Sequence, residues 1–187
     1  MPSKMAFNIY SAMEKQIKRD DIYKGKVIHV VKDEVLCDNG NTSIREVVLH
    51  NGGACIALKK DDKYFMVKQY RYPFSKEMLE FPAGKIENGE GPDETILREA
   101  VEETGYSVKN IRSFGYIIPT CGYCSEKIYL YYGEADEYLG QHFDKDENIL
   151  LHQFTFKEIK EMVMNNQIDD AKTIALMYHI EMAGLDA

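Results

Sequence analysis

The stretch from Gly84 to Tyr106, GKIENGEGPDETILREAVEETGY, decides the fold of this 187-residue chain. Its second half, residues 92–104, has the length and the apolar spacing of an amphipathic helix. The residues on the apolar side are Ile96, Leu97, Ala100 and Val101. Gly105 follows directly, and glycine commonly ends a helix because it adopts the left-handed conformation without strain. The sequence therefore predicts a helix over 92–104 that packs its apolar stripe against a sheet.

Glu99, Glu102 and Glu103 lie on one side of this predicted helix, within a single turn. Like charges at this spacing repel each other at a cost of roughly 0.2–0.5 kcal/mol per pair, so a bound divalent cation explains them better than a solvated acidic face does. Carboxylate oxygens suit Mg²⁺ or Mn²⁺, which proteins hold with a few carboxylates, waters and substrate phosphates. Arg98 stands beside these glutamates, where we expect it to pair with Glu90 and tie the preceding loop to the helix.

Gly84, then Glu90 after five residues, then REAVEETGY (98–106) after seven more, form a pattern that resembles the signature of the Nudix hydrolases. Every fixed glycine, arginine and glutamate of that signature is present. Ala100 and Tyr106 are small departures from it. The resemblance implies an α/β fold, with an α/β/α sandwich around a mixed sheet, and a metal site formed by the signature glutamates.

Three further segments, REVV (45–48), QYRYP (69–73) and LEFPAGKIE (79–87), are similar to those of ADP-ribose pyrophosphatases and related nucleoside-diphosphate-sugar hydrolases. The resemblance then covers residues 23–178. It implies Mg²⁺-dependent hydrolysis of the diphosphate in ADP-ribose, which gives AMP and ribose 5-phosphate.

Two departures leave the substrate open. Cys121 stands where the ADP-ribose subgroup typically has a proline, and Tyr123 has a spacing associated with diadenosine-polyphosphate hydrolases. GDP-mannose, other sugar nucleotides and dinucleoside polyphosphates therefore stay as alternative substrates. A non-catalytic nucleotide-sensing Nudix-like module is the alternative of a different class, although such proteins are expected to lose signature glutamates, which this chain retains.

The resemblance assigns roles to residues outside the helix. Arg71 is expected to approach the diphosphate, since a planar guanidinium binds two phosphate oxygens at once; the alternative is that it pairs with one of the glutamates. Arg45 and Glu80 are candidates for the nucleoside end of the substrate. The backbone carbonyl of Ala83 is a candidate metal ligand, together with Glu99, Glu102 and Glu103.

Hydrolysis also requires a carboxylate that deprotonates the attacking water. In ADP-ribose pyrophosphatases the loop that matches CGYCSEK (121–127) carries such a glutamate, and Glu126 occupies its place. Glu103, on the helix, is the competing base. Arg98 is counted with these two as a catalytic candidate.

Composition indicates which binding partners and which cellular compartment to expect. A net charge of −8 disfavours general binding of nucleic acid, which needs basic surface. No apolar run approaches the roughly 20 residues of a membrane span, and the first 21 residues lack the apolar segment of a signal peptide, so we expect a cytoplasmic protein that contacts no membrane. Its four cysteines are interpreted as reduced thiols, and Cys121 and Cys124 as loop residues.

The remaining pattern predicts two parts. Residues 1–50 include two β-branched runs joined by an Asn-Gly turn at 38–41, which predicts a small antiparallel sheet. The resemblance implies that residues 51–187 form a Nudix domain. Within it, 134–147 are expected to be irregular, and helices are expected near 156–165 and 169–183. Family members with such an N-terminal sheet are usually homodimers that exchange it, so Arg45 is expected to act in the neighbouring subunit.

Overall fold

The computed structural model describes residues 13–142 and 149–186. The chain divides into two compact units. The first includes the described chain up to His50 together with Gly122–Ser125. The second begins at Asn51 and contains the rest.

The first unit is a three-stranded antiparallel sheet in the order β1-β2-β3. Its strands are β1 (Lys15–Lys24), β2 (His29–Leu36) and β3 (Thr42–Leu49). The turn predicted at 38–41 joins β2 to β3, and Gly40 there has a φ of 81°, which favours glycine. The sequence did not reveal β1, because its side chains are all exposed and the strand has no apolar alternation to read.

The second unit is built on a seven-stranded mixed sheet in the order β10-β5-β4-β9-β8, with β6 paired to β5 and β7 paired to β4. Its strands are β4 (Gly53–Lys60), β5 (Lys63–Arg71), β6 (Lys76–Glu80), β7 (Ala83–Lys85), β8 (Tyr106–Ile117), β9 (Ile128–Tyr138) and β10 (Ile149–Thr155). β4 and β9 run parallel, and the other pairs are antiparallel.

The predicted hairpin of β4 and β5 is present, but the two strands pair only next to their turn, at Lys59–Tyr64 and Lys60–Lys63. Beyond that point β4 pairs with β7 and β9, while β5 pairs with β6 and β10. The strands that lead into the signature loop, β6 and β7, therefore lie against the two central strands.

Side chains of β4 alternate between two hydrophobic clusters. Ala54, Ile56 and Leu58 pack with residues of α1 (Pro92–Thr104). Cys55 and Ala57 pack with residues of α2 (Phe156–Met164) and α3 (Ala171–Met182). Because successive strand residues point to opposite faces, helices cover both faces of this sheet, as the predicted α/β/α sandwich requires.

The helices begin and end close to where the sequence placed them. Gly105 ends α1 with a φ of 80°, and Thr155 with Glu158 forms the N-terminal capping box of α2. The expectation of an irregular 134–147 was wrong for 134–138, which belong to β9; residues 143–147 lie outside the described part of the chain. The acidic side chains of this segment are accommodated because the end of β9 is exposed.

Among the described residues, no helix combines the length and the apolar character needed to cross a membrane.

Candidate functional site

The signature helix α1 is fixed along its buried face. Ile96 and Ala100 are fully buried against the sheet. Glu103 continues this face in the last turn, where it is 4% exposed and accepts a hydrogen bond from the backbone N–H of Ala83 at 3.0 Å. The apolar stripe and this bond together hold the glutamates of the last turns against the signature loop.

Gly84 lies directly against Glu99. A Cβ atom at position 84 would come within 1.7 Å of Glu99 Oε1 and 1.9 Å of its carboxyl carbon. Only glycine therefore leaves room for this carboxylate beside the backbone of β7. This contact is the physical reason for the glycine that opens the signature.

Arg98 connects the signature loop to the helix, as predicted. Its Nε donates to Glu90 Oε1 at 2.9 Å and its Nη2 donates to Glu90 Oε2 at 3.0 Å. Its Nη1 donates to Glu99 Oε1 at 2.8 Å and to Glu102 Oε2 at 2.7 Å. One guanidinium thus holds the loop and draws together two of the three helix carboxylates.

The charges of this cluster stabilise one another. Hydrogen bonds from Arg98, and then from Thr95, lower the pKa of Glu90 to about 2. The same bond to Glu90 raises the pKa of Arg98 above its ordinary value, with Glu99 and Glu102 contributing further. Glu90 therefore serves as the fixed counter-ion of Arg98.

The donors for a divalent cation are present in this cluster, although the side chains are arranged around Arg98. Over residues 13–142 and 149–186, no three Asp, Glu, His or Cys side chains are grouped closely enough to hold a metal ion. Glu99 and Glu102 both accept hydrogen bonds from Arg98, and Glu103 accepts one from the backbone N–H of Ala83. The donor set nevertheless fits Mg²⁺ or Mn²⁺, because it consists of carboxylate oxygens on one helical turn beside a backbone strand.

A second charged cluster lies at the ends of β5 and β6. Arg71 Nε donates to Glu80 Oε1 at 2.7 Å, and Arg71 Nη2 donates to Glu80 Oε2 at 2.6 Å. Lys172 Nζ also donates to Glu80 Oε2 and lies 3.0 Å from Asp170 Oδ1. Glu80 is 2% exposed, whereas the side chain of Arg71 is 38% exposed.

Electrostatics of this second cluster favour full ionisation. Burial alone would raise the pKa of Glu80, but Arg71 and Lys172 outweigh burial and lower it to about 2. Burial likewise opposes the charge of Lys172, yet Asp170 and Glu80 raise its pKa above the ordinary value. The hydrogen bond to Glu80 raises the pKa of Arg71, and Glu103 of the signature helix contributes to that rise.

Comparison with known proteins identifies the family. A family model described as the NUDIX domain matches residues 49–177. The chain belongs to the NUDIX family.

The alignments with two relatives cover nearly the whole of this chain. It is 37% identical over 172 residues to the methanol dehydrogenase activator of Bacillus methanolicus, covering 90% of this chain and 93% of that protein. It is 34% identical over 175 residues to the ADP-ribose pyrophosphatase of Bacillus subtilis (strain 168), covering 92% of this chain and 95% of that protein.

A third relative and a solved structure agree with this placement. The chain is 30% identical over 171 residues to the GDP-mannose pyrophosphatase of Yersinia enterocolitica (serotype O:8 / biotype 1B, strain NCTC 13174 / 8081), covering 84% of this chain and 89% of that protein. A crystal structure of an ADP compounds hydrolase superposes with a TM-score of 0.81 at 16% identity, covering 90% of this chain and 92% of that chain. At that identity the match shows that the two proteins share a fold.

The structure places the other predicted NUDIX site residues as follows. Glu126 is half-buried in the second unit, two residues before β9 begins. Arg45 belongs to the first unit, where its Nε donates to Glu14 Oε2 at 2.9 Å and its Nη1 donates to Ser43 Oγ at 2.9 Å. Arg71 pairs with Glu80. Pairing with a glutamate was the alternative to an arginine that approaches the diphosphate. One guanidinium can do both, because only one of its edges makes the pair with Glu80.

The sequence predicted the helix α3 but did not connect its first turn with the charged cluster at Glu80. Asp170 is the N-cap of this helix and its Oδ2 accepts from Thr173 N at 3.0 Å and from Thr173 Oγ1 at 2.6 Å. The Oγ1 of Thr173 in turn accepts from the N–H of Phe81 at 2.9 Å. An aspartate followed three residues later by a threonine is a recognisable helix start, but no sequence pattern connects it with Glu80.

The thiols are free in the structure. Cys55 is fully buried in the core, and burial raises the pKa of its thiol well above the ordinary value. Cys121 is exposed and Cys124 half-buried.

A cavity of about 640 Å³ lies beyond the C-terminal end of α1. Its walls include Lys60, Phe65, Thr104, Tyr106 and His152. The predicted site residues do not line it, so this cavity is separate from the charged clusters.

Proposed function

We propose that ADP-ribose is the preferred substrate of this Nudix pyrophosphohydrolase, which hydrolyses nucleoside diphosphate sugars. The products would be AMP and ribose 5-phosphate. The observation that carries the proposal is the signature cluster, in which Arg98, Glu90 and the N–H of Ala83 hold Glu99, Glu102 and Glu103 on a helix that packs against the sheet. The identity to an ADP-ribose pyrophosphatase, 34%, exceeds the 30% to a GDP-mannose pyrophosphatase, so GDP-mannose is the second substrate to test.

Nudix hydrolases generally use divalent metals, and we propose Mg²⁺ here, with Mn²⁺ as a substitute. Glu99, Glu102, Glu103 and the carbonyl of Ala83 would hold it. When bound, such an ion neutralises phosphate charge and lowers the pKa of a coordinated water. An acidic protein with a net charge of −8 needs this neutralisation to accept a diphosphate.

Arg71 is proposed to bind the diphosphate. A guanidinium carries five N–H donors, and two of its nitrogens are directed at Glu80. Among the described residues, Arg71 Nη1 has no acceptor, and the side chain is 38% exposed. The outer edge can therefore donate to phosphate oxygens while the inner edge stays fixed. Glu80 was expected at the nucleoside end of the substrate, but because it is 2% exposed we propose that it acts at the diphosphate, through Arg71.

Glu126 is proposed to deprotonate the attacking water, with Glu103 as the competing base. Glu126 lies in the connection between β8 and β9 and is half-buried, whereas Glu103 is 4% exposed. A base must be within reach of the water that it deprotonates, and the greater exposure of Glu126 favours it. Arg98 would act on the reaction only by holding Glu99 and Glu102.

We propose that the protein is a homodimer formed through its first unit. Residues 1–50 would be exchanged between the two subunits, and residues 51–187 would form the hydrolase domain. Arg45 would then act in the active site of the neighbouring subunit. The first unit exposes an unusual number of large apolar side chains, namely Met13, Ile17, Ile22, Tyr23, Val27, Ile28, Leu36 and Ile44. Light scattering on an eluting peak tests this directly. A monomeric mass at micromolar concentration would contradict it.

We place the protein in the cytoplasm, where its four free thiols suit a reducing compartment. Its partner is a small nucleotide substrate, and we expect no binding to nucleic acid or to a membrane. A short electrophoretic assay with duplex DNA and a sedimentation assay with vesicles would test both expectations.

A second role, in which the protein acts on another enzyme, is favoured by one observation: a relative with 37% identity is named a methanol dehydrogenase activator. The two roles do not exclude each other. Turnover of small nucleotides by the isolated chain separates hydrolysis from a purely regulatory function.

The deciding experiment is a phosphate-release screen with Mg²⁺ and a coupled phosphatase. The substrates would be ADP-ribose, GDP-mannose, other nucleoside diphosphate sugars and diadenosine polyphosphates. We expect the highest kcat/KM for ADP-ribose, and loss of activity with EDTA that Mg²⁺ restores. A higher kcat/KM for GDP-mannose or for a dinucleoside polyphosphate would replace ADP-ribose as the substrate, and no turnover of any compound would contradict hydrolysis.

A further inference from the structure

Lys172 is a buried cation with two anionic neighbours. The residue is 8% exposed, and its Nζ contacts Glu80 Oε2 and lies 3.0 Å from Asp170 Oδ1. A buried ammonium group needs such partners, because removing its charge from water is unfavourable. The two partners place the charge of Lys172 inside the cluster that also contains Arg71.

Glu80 Oε2 is shared between two cations. It accepts from Arg71 Nη2 at 2.6 Å and also from Lys172 Nζ, while Oε1 accepts from Arg71 Nε at 2.7 Å. One carboxylate thus faces two positive charges. Without Lys172, the full charge of Glu80 would be compensated by Arg71 alone.

The position of Lys172 is set by the start of α3. Asp170 caps the helix by accepting from the N–H and the hydroxyl of Thr173. The hydroxyl oxygen of Thr173 accepts from the N–H of Phe81, the residue after Glu80. The first turn of α3 is therefore joined to the chain segment that carries Glu80 at two successive residues.

We propose that Lys172 is a positioning residue for diphosphate binding: by sharing the charge of Glu80, it leaves the outer edge of Arg71 positively charged and correctly oriented for phosphate oxygens. This inference rests on the proposed role of Arg71. Lys172 acts through Glu80, and Arg71 contacts the ligand. The specificity of the site for a diphosphate then depends on a helix that lies outside the Nudix signature.

If Lys172 is a positioning residue, its substitution should weaken substrate binding much more than it slows the chemical step. Replacing Lys172 with Gln removes the charge but retains a donor for Glu80 Oε2, so the fold is expected to persist. The negative charge of Glu80 is then no longer compensated by Lys172 and weakens the attraction between Arg71 and phosphate oxygens. The affinity for a diphosphate therefore falls. We expect KM for the best substrate to rise about tenfold, while kcat changes much less, because the signature glutamates are untouched.

The test combines Lys172→Gln and Lys172→Met with a matched control and a double variant. Lys76→Met is the control: Lys76 forms an ion pair with Asp169, so it joins the same two segments at the surface. We expect this control to keep the wild-type KM. In a Glu80→Gln background, Lys172→Met should leave KM nearly unchanged, since the charge through which Lys172 acts is gone. An equal rise of KM in both backgrounds, or a lower melting temperature with an unchanged KM, would overturn the proposal.

A second measurement does not depend on turnover. The side-chain Nε–H resonance of Arg71 in a ¹H–¹⁵N NMR spectrum would be followed while inorganic pyrophosphate is added. We expect the wild-type titration to reach half saturation at about one tenth of the concentration that Lys172→Gln requires. Identical titrations would overturn the positioning role even if the enzyme turns over ADP-ribose. A difference between them would support it even if the wild type hydrolyses none of the nucleotides in the screen, so the two proposals fail separately.

Discussion

The carboxylate of Glu99 lies in the space that a side chain at position 84 would occupy, and Gly84 leaves that space free. A Cβ atom on any other residue at position 84 would lie 1.7 Å from Glu99 Oε1. Position 84 has no left-handed backbone conformation, so its need for glycine comes from this contact alone. The first residue of the Nudix signature thus sets the position of one of its glutamates.

Gly84→Ala is expected to displace Glu99 and lower kcat/KM by about 100-fold, since a shift of about 1 Å in a catalytic group has that effect. The free energy of unfolding should change little, because the far end of a side chain can move. Steady-state kinetics and thermal unfolding check both expectations.

Gly91→Ala is the control for this substitution, as a Cβ there would meet Glu94 Oε2 at an ordinary 3.7 Å. Its kcat/KM should stay close to that of the wild type. Equal losses in both variants would show that the loop, and not the contact with Glu99, is responsible.

Glu103→Gln should abolish turnover, by more than about 100-fold, while the fold remains intact. The amide oxygen can still accept the bond from the N–H of Ala83, so shape and packing are kept and only the charge is lost. The rise in melting temperature that Mg²⁺ produces in the wild type should also disappear, because a ligand stabilises the state that binds it.

Glu94→Gln, on the first turn of the same helix, is the matched control for Glu103→Gln. Glutamine also completes a capping box, so activity and the effect of Mg²⁺ should both be retained. Full activity of Glu103→Gln would remove this residue from the metal site.

Glu126→Gln is expected to lower kcat by about 10²- to 10⁴-fold, the usual contribution of a general base, and to leave KM within a small factor of the wild-type value. Rapid-quench kinetics at saturating substrate would show whether the chemical step itself is slowed. If the rate were unchanged, the base would have to be sought on α1, with Glu103 as the first candidate.

The ion pair of Glu90 with Arg98 predicts a specific pH dependence of stability. The pKa of Glu90 is lowered from an ordinary value near 4.5 to about 2 in the folded protein. A lowered folded-state pKa stabilises the protein above the unfolded-state pKa, and this contribution is lost as the pH falls toward the folded-state value.

Glu90→Gln removes that titration, so the wild type should exceed the variant in free energy of unfolding by a constant amount above pH 4.5. The difference should shrink as the pH falls toward 2. Urea unfolding at a series of pH values measures it. A difference that does not vary between about pH 6 and about pH 3 would contradict the linkage.

The signature helix, its terminal glycine and the pairing of Arg98 with Glu90 were predicted from the sequence, because all of them depend on residues close together in the chain. Helical periodicity places 99, 102 and 103 together whatever the rest of the protein does. The hairpin at 38–41 and the capping box at Thr155 are local for the same reason. The exposed strand β1 escaped prediction since it has no buried side of its own.

The sequence by itself determined the family and the helical turns that bring Glu99, Glu102 and Glu103 together, because short-range spacing encodes both. Only the tertiary structure decided that Arg71 shares the buried Glu80 with Lys172, a residue 92 positions further along the chain. It also decided that Glu103 faces the N–H of Ala83. Such contacts depend on which strands pair and on which face a helix packs, and the cost of burying each charge is met by partners that no local pattern could identify.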